Sequence, residues 1–202
     1  MMNQIIVSAK GREKRMAVLR DGKADQFHIF QPSHQSIVGN IYYGVIQKIE
    51  PGMNACFVDI GIGKNGYLPK DQIPDSRQLP ISQLVFEGEK IAVQVKKDAT
   101  DHKGPELTAL IEWPGMYLVY IPAGNHIAVS RKMGQEERKN WKQWAQQMKK
   151  EQEGVILRTS VAAGEKTEIE KEWVALREMH RKVLSQISNK KAPSLGAFSY
   201  YA

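Results

Sequence analysis

The chain has 202 residues, 42% hydrophobic and 25% charged, and its 29 Lys plus Arg against 22 Asp plus Glu leave a net charge of +7. No run approaches the ~18 consecutive apolar residues of a membrane-spanning helix, and the apolar segment near the N-terminus is too short for a signal-peptide core. One cysteine, Cys56, excludes an internal disulfide framework and an all-cysteine zinc site, and the chain is expected to be cytoplasmic.

The basic excess is spread along the sequence, +3 over residues 1–100 and +4 over 101–202, and favours a polyanionic partner. Residues 4–9, 15–20 and 27–30 are expected strands, with Asp21-Gly22 as a hairpin turn between the last two. Pro32-Ser33-His34-Gln35-Ser36 is a polar break and the first boundary. Five further strands follow at 41–49, 55–60, 65–68, 90–97 and 106–111. The connection at 69–80 carries Pro69, Pro74 and Pro80, which forbid a long regular element. Five strands with one long connection fit an OB-type barrel, and on periodicity alone another small β-barrel or sandwich fits nearly as well.

Past Trp113-Pro114-Gly115 the composition changes. Strands are expected at 116–121 and 127–131, with a turn at 122–125. Residues 135–150 read as a helix whose Trp141, Trp144, Ala145 and Met148 share one face. A strand at 155–160 precedes a second helix, opened by the capping box Thr167-Glu168-Ile169-Glu170 and ended by Ala192-Pro193. Ile169, Trp173, Leu176, Val183, Leu184 and Ile187 form its buried stripe.

Gly61-Ile62-Gly63-Lys64-Asn65-Gly66 matches G-x-G-x-x-G after a strand. A dinucleotide site needs a helix to open there, and Tyr67-Leu68-Pro69 argues for strand and turn instead. His28, His34, His102, His126 and His180 show no metal-ligand spacing, and His180 reads as packing or surface. Cys56 lies in an apolar strand as a structural thiol. Asp59, Asp71 and Asp75 do not assemble into a carboxylate pair, and Asp59 with His102 has no mechanistic logic. No catalytic and no metal-ligating residue is assigned. Tyr42, Tyr43, Phe57 and Tyr67 are interleaved with Lys48, Lys64, Lys70, Lys96, Lys97 and Lys103. Rings on strands stack bases while ammonium groups neutralise phosphates, so this composition suits single-stranded nucleic acid; some of these rings must be core.

Gly44-Val45-Ile46-Gln47-Lys48-Ile49, Ala55-Cys56-Phe57-Val58-Asp59-Ile60-Gly61, Gly66-Tyr67-Leu68-Pro69 and Gly88-Glu89-Lys90-Ile91-Ala92-Val93-Gln94-Val95 resemble the RNA-binding repeat of ribosomal protein S-one, an OB fold. The longer series, from Asn40-Ile41-Tyr42-Tyr43-Gly44 through Lys103-Gly104-Pro105-Glu106-Leu107-Thr108, Gly115-Met116-Tyr117-Leu118-Val119, Ser130-Arg131-Lys132 and Gly154-Val155-Ile156-Leu157-Arg158-Thr159, resembles the N-terminal half of the bacterial ribonuclease E/G family over roughly residues 3–195.

The resemblance implies an α+β chain. Residues 1–37 would be a partial ribonuclease-H-like strand set, 38–112 a five-stranded OB-type barrel, 113–191 a small α/β 5′ sensor with two helices, and 192–202 an altered or truncated tail. Phe57, Tyr67 and Lys103 match positions that grip RNA, with Tyr67 where relatives often have phenylalanine. Arg158 and Thr159 match the pair that binds a 5′-monophosphate. Gly115 and Val119 match positions whose backbone meets the terminal nucleotide, and Arg131 matches a nearby basic position. Magnesium, held by two aspartates, and zinc, held by a cysteine pair, belong to a catalytic part of the family that this sequence does not contain. The chain is therefore expected to bind single-stranded RNA for processing and decay, to need no cofactor of its own, and to cut nothing alone. Its partners would be RNA, the missing catalytic domain and, through unpaired edge strands, a second copy in a homo-oligomer. A stand-alone OB-fold RNA binder linked to ribosomes or translation would share the same barrel.

Overall fold

The structure, a computed structural model, describes residues 3–10, 13–30, 36–76, 79–150 and 152–188. Residues 32–35 of the polar break at 32–36, and the tail at 192–202, lie outside them. The chain divides into two units, Met1–Ile37 and Val38–Ala202.

In the first unit, β1 (Asn3–Ser8), β2 (Lys14–Arg20) and β3 (Lys23–Phe30) form an antiparallel sheet in the order β1-β2-β3. Asp21-Gly22 makes the turn expected of it, and a bulge at Val18/Leu19 shifts the β2–β3 register. Ile5, Ile6, Val7, Phe27 and Ile29 are exposed.

In the second unit, β4 (Ile41–Glu50), β5 (Ala55–Asp59), β6 (Gly66–Pro69), β7 (Lys90–Lys97) and β8 (Glu106–Thr108) close into a barrel in the order β4-β5-β6-β8-β7. All pairings are antiparallel except β6–β8. The fold is an OB-type barrel followed by a small α/β region. Alternation sends Tyr42, Ile46, Cys56, Val58, Leu68, Val93, Val95 and Leu107 inward. The proline-rich connection holds one short helix, α1 (Ile81–Leu84). Strand β8 is shorter than expected because the Ala109 and Leu110 amides turn away to the Gln72 carbonyl, at 2.8 and 3.2 Å. The G-x-G-x-x-G segment is the loop between antiparallel β5 and β6, and no helix opens there.

The α/β region is a four-stranded sheet in the order β11-β12-β10-β9. Its strands are β9 (Trp113–Pro114), β10 (Leu118–Ile121), β11 (Ile127–Val129) and β12 (Gly154–Leu157), covered by α2 (Gln135–Met148) and α3 (Lys166–Ser188). Leu118, Tyr120, Val155, Leu157, Ala145, Ile169, Trp173 and Leu176 form its core, which also takes in Ile41 of the barrel. Trp141, Trp144 and Met148 pack on it, as the 3.6-residue period requires. The strands expected at 116–121 and 127–131 span Leu118–Ile121 and Ile127–Val129, and two further expectations shift. The strand expected at 155–160 ends at Leu157, because Thr159–Ala163 coil into a 3-10 turn. The second helix begins before Thr167: the Glu165 carbonyl accepts from Glu168 and Ile169, so Thr167 sits in the first turn and does not cap it.

Candidate nucleic-acid interface

The barrel's pairings place one row of side chains across its outer surface. Lys48 pairs with Phe57, Phe57 with Tyr67, Tyr67 with Glu106, and Glu106 with Lys97. Directly paired residues face the same side of a sheet, so the row reads Lys48, Phe57, Tyr67, Glu106, Lys97. The inward neighbours Cys56, Val58, Gly66 and Leu68 are buried, while Phe57 and Tyr67 are half-buried. Their ring centroids lie 6.0 Å apart at 59°, leaving two aromatic surfaces at the barrel wall. Lys97 is bonded to Glu106 at 2.6 Å. Lys48 is bonded to Glu50, whose carboxylate raises the ammonium above the usual lysine value.

Lys103 lies in the β7–β8 loop, which is anchored next to Tyr67. The Tyr67 amide donates to the Pro105 carbonyl (2.8 Å), and Lys64 Nζ donates to the carbonyls of Thr100 (3.0 Å) and Asp101 (2.9 Å). The Lys103 backbone closes on Thr100, and its exposed ammonium has no partner among the described residues. Phe57, Tyr67 and Lys103 are thus brought to one part of the barrel. Of the other rings, Tyr43 is exposed, but Tyr42 is buried in the core and cannot stack on a ligand.

Strand order gathers the second group. Parallel β11 and β12 end together at Val129 and Leu157, and antiparallel β10 starts opposite Leu157 with Leu118. Gly115, Arg131, Arg158 and Thr159 therefore fall at one end of the sheet. Arg158 and Thr159 are exposed. Arg158 Nη1 donates to the Gly115 carbonyl at 2.6 Å, and its other guanidinium N–H groups have no partner among the described residues. Both backbone polar groups of Gly115 are engaged, since its amide donates to the Leu118 carbonyl at 2.7 Å. Val119 lies one residue inside the sheet, opposite Ile156 and Pro114. Arg131 lines a separate cleft of about 540 Å³ with Gln135, Arg138, Lys139 and Lys142.

One residue of this end was not anticipated. Glu172 of α3 accepts from the amides of Met116 (2.5 Å), Tyr117 (2.9 Å) and Leu118 (3.2 Å). Glu168, one helical turn earlier, accepts from the Tyr117 hydroxyl at 3.0 Å. The sequence signal was two glutamates at i and i+4, which read equally well as a solvated helix face.

Among the described residues no three His, Cys, Asp or Glu side chains converge. Cys56 is buried, and burial pushes its thiol up to about 11. His180 accepts the Trp113 indole N–H at 3.2 Å, and burial lowers its pKa, which keeps it a neutral packing group. Asp59 Oδ1 accepts from the Gly61 amide at 2.8 Å and serves the turn. No helix among the described residues is long and apolar enough to cross a membrane.

Residues 113–197 match the family model described as "Ribonuclease E/G family". The chain is 33% identical to "Ribonuclease G" of Escherichia coli (strain K12), an alignment covering 96% of this chain and 42% of that protein. It is 32% identical to "Ribonuclease G" of Haemophilus influenzae (92% and 40%) and 31% identical to "Ribonuclease E" of Buchnera aphidicola subsp. Schizaphis graminum (95% and 21%). It spans less than half the length of these curated relatives. On the family match and on these relatives, the chain belongs to the ribonuclease E/G family.

Proposed function

We propose that this chain is the RNA-binding and 5′-end-sensing portion of a ribonuclease E/G-like endoribonuclease acting in RNA processing and decay. The observation that carries the reading is the row Lys48, Phe57, Tyr67, Glu106, Lys97 with Lys103, whose ammonium has no partner among the described residues, in the adjoining loop. Bases of a single strand stack on the two rings at ~1–3 kcal/mol each, while Lys103, unlike Lys48 and Lys97 not ion-paired among the described residues, neutralises the backbone. A duplex keeps its base faces stacked inside and gains little from such a wall.

The 5′ end is assigned to Arg158 and Thr159. A terminal monophosphate carries about −1.5 to −2 charges at pH 7. A guanidinium meets two of its oxygens with parallel bonds, and Arg158 spends only one N–H on Gly115. The Thr159 hydroxyl, next in the chain and exposed, supplies a further donor. Arg131, at the same end of the sheet, adds positive potential.

The test is fluorescence anisotropy with single-stranded oligonucleotides bearing 5′-monophosphate or 5′-hydroxyl. Phe57→Ala and Tyr67→Ala should each weaken both by roughly 5- to 150-fold, the equivalent of one stacked base. Arg158→Ala should erase the preference for the monophosphate. Full affinity in both ring variants would overturn the barrel assignment, and equal affinity of the wild type for both ends would overturn the sensor. The chain with magnesium should bind RNA and leave it intact, so cleavage by nuclease-free protein would refute the division of labour.

A further inference from the structure

The turn at 115–118 is held from two sides with none of its inner polar groups left over. Its carbonyls face the segment after β12: Gly115 accepts from Arg158 Nη1 (2.6 Å), Met116 from Ser160 Oγ (2.6 Å) and Tyr117 from the Arg158 amide (2.8 Å). Its amides face α3: those of Met116, Tyr117 and Leu118 all end on the Glu172 carboxylate. Successive amides converging on one point form an anion nest, and the anion in this nest belongs to the chain itself. Any side chain at residue 115 would make Glu172 shift. A Cβ there would lie 2.5 Å from the Glu172 carboxyl carbon and 2.7 Å from each oxygen.

We propose that Glu172 is the positioning residue of the 5′-phosphate site, an inference that rests on the sensor reading above. Glu172 does not touch the phosphate. It neutralises three parallel N–H dipoles that would otherwise repel one another, and so fixes the carbonyls of Gly115 and Tyr117, to which Arg158 is fastened by both its side chain and its amide. With the turn fixed, the remaining guanidinium donors are presented in one orientation, and the phosphate does not have to order them as it binds. Occupation of the nest also leaves the phosphate to Arg158 and Thr159, because the amides of 116–118 are already spent.

The test uses the full 202-residue chain and reads the ratio of affinities for 5′-monophosphate over 5′-hydroxyl single-stranded RNA in the wild type, Glu172→Gln, Glu172→Ala, Arg158→Ala and the double variant Arg158→Ala/Glu172→Ala. The wild-type ratio should be about tenfold or more, the size of one charge-assisted hydrogen bond. It should fall in Glu172→Gln, which keeps one acceptor oxygen but brings an N–H toward the amides, and fall further in Glu172→Ala. Because Glu172 acts through Arg158, the double variant should be no worse than Arg158→Ala alone, an outcome that general destabilisation would not give. In amide hydrogen exchange, Met116, Tyr117 and Leu118 should lose protection in both Glu172 variants. If Glu172→Ala does not fold, Glu172→Gln supplies the ratio and the exchange rates. A wild-type preference that survives in the folded Glu172 variants overturns this inference alone. A wild type with no preference overturns the sensor reading and this one with it.

Discussion

Glu153 is the point at which removing one side chain should cost most. It is contributed by the turn before β12, and only 9% of its side chain is exposed, against 17% for its partner Arg177 on α3. The carboxylate accepts from Arg177 Nε (2.7 Å) and Nη2 (2.6 Å), from the Tyr120 hydroxyl (3.1 Å) and from the Lys150 amide (3.0 Å). Arg177 also donates to the Met148 carbonyl at 2.8 Å and lies 5.0 Å over the Trp173 ring. One ion pair thus ties β10, the end of α2 and α3 together. Glu153→Ala leaves the guanidinium buried without its counter-charge and Tyr120 without its acceptor, which should cost about 3–5 kcal/mol. Against the ~5–15 kcal/mol of a typical domain this is a large fraction. At ~2–4 °C per kcal/mol it corresponds to a melting point lower by roughly 6–20 °C. Thermal melts followed by tryptophan fluorescence read it directly. Replacing both partners, as Glu153→Met/Arg177→Met, should recover most of the loss, because no isolated charge remains. A shift below about 2 °C for Glu153→Ala, or a double variant as unstable as the single, would refute the reasoning. The pH dependence follows from the same contacts. Burial alone raises the Glu153 carboxyl, but the bonds from Arg177, Lys150 and Tyr120 outweigh it and hold the group below the usual carboxylate range. Its contribution is present above the unfolded value of about 4.3 and is lost as pH falls through the lower folded value. Acid melting of the wild type should therefore be steeper below about pH 4.3 than that of Glu153→Gln.

Further outcomes are expected elsewhere. Burial and, secondarily, Glu89 push the Cys56 thiol up to about 11, so a thiol reagent at pH 8 should react only after denaturant is added; rapid stoichiometric labelling of native protein would contradict the barrel packing. In Gly104→Ala the new Cβ would lie 1.8 Å from the Asn65 carbonyl oxygen, which is backbone. That variant should lose at least roughly 1–3 kcal/mol in a denaturant titration, and an unchanged midpoint would show that the two loops do not touch. Lys103→Ala should lower the slope of log affinity for single-stranded RNA against log salt by about 0.7, the share of one phosphate contact. An unaltered slope would remove Lys103 from the interface.

Several of these groups could be read before any fold was known. The alternation through Ala55-Cys56-Phe57-Val58 and Gly66-Tyr67-Leu68 puts Phe57 and Tyr67 on the face opposite Cys56 and Leu68, and the barrel keeps that arrangement. The tryptophans of α2 lie where a 3.6-residue period puts them. Short or context-dependent features were less legible. Trp113–Pro114 is a strand of two residues, too short to leave a period. The Thr167 capping box does not open the helix: the chain leaves the 159–163 turn extended at Gly164, and the Glu165 carbonyl already accepts from the Glu168 and Ile169 amides.

Local pattern, then, determined which side of each strand and helix a residue occupies, because pleat and helical pitch are properties of the backbone and act over a few residues. Only the tertiary structure decided which residues meet. Glu172 reaches the amides of 116–118 across more than fifty positions, Arg158 reaches Gly115 across 43, and Tyr42 is core while Tyr43 beside it is exposed. Such meetings depend on strand order and on where a helix docks. These are set by packing of the whole unit, and no window of neighbouring residues contains them.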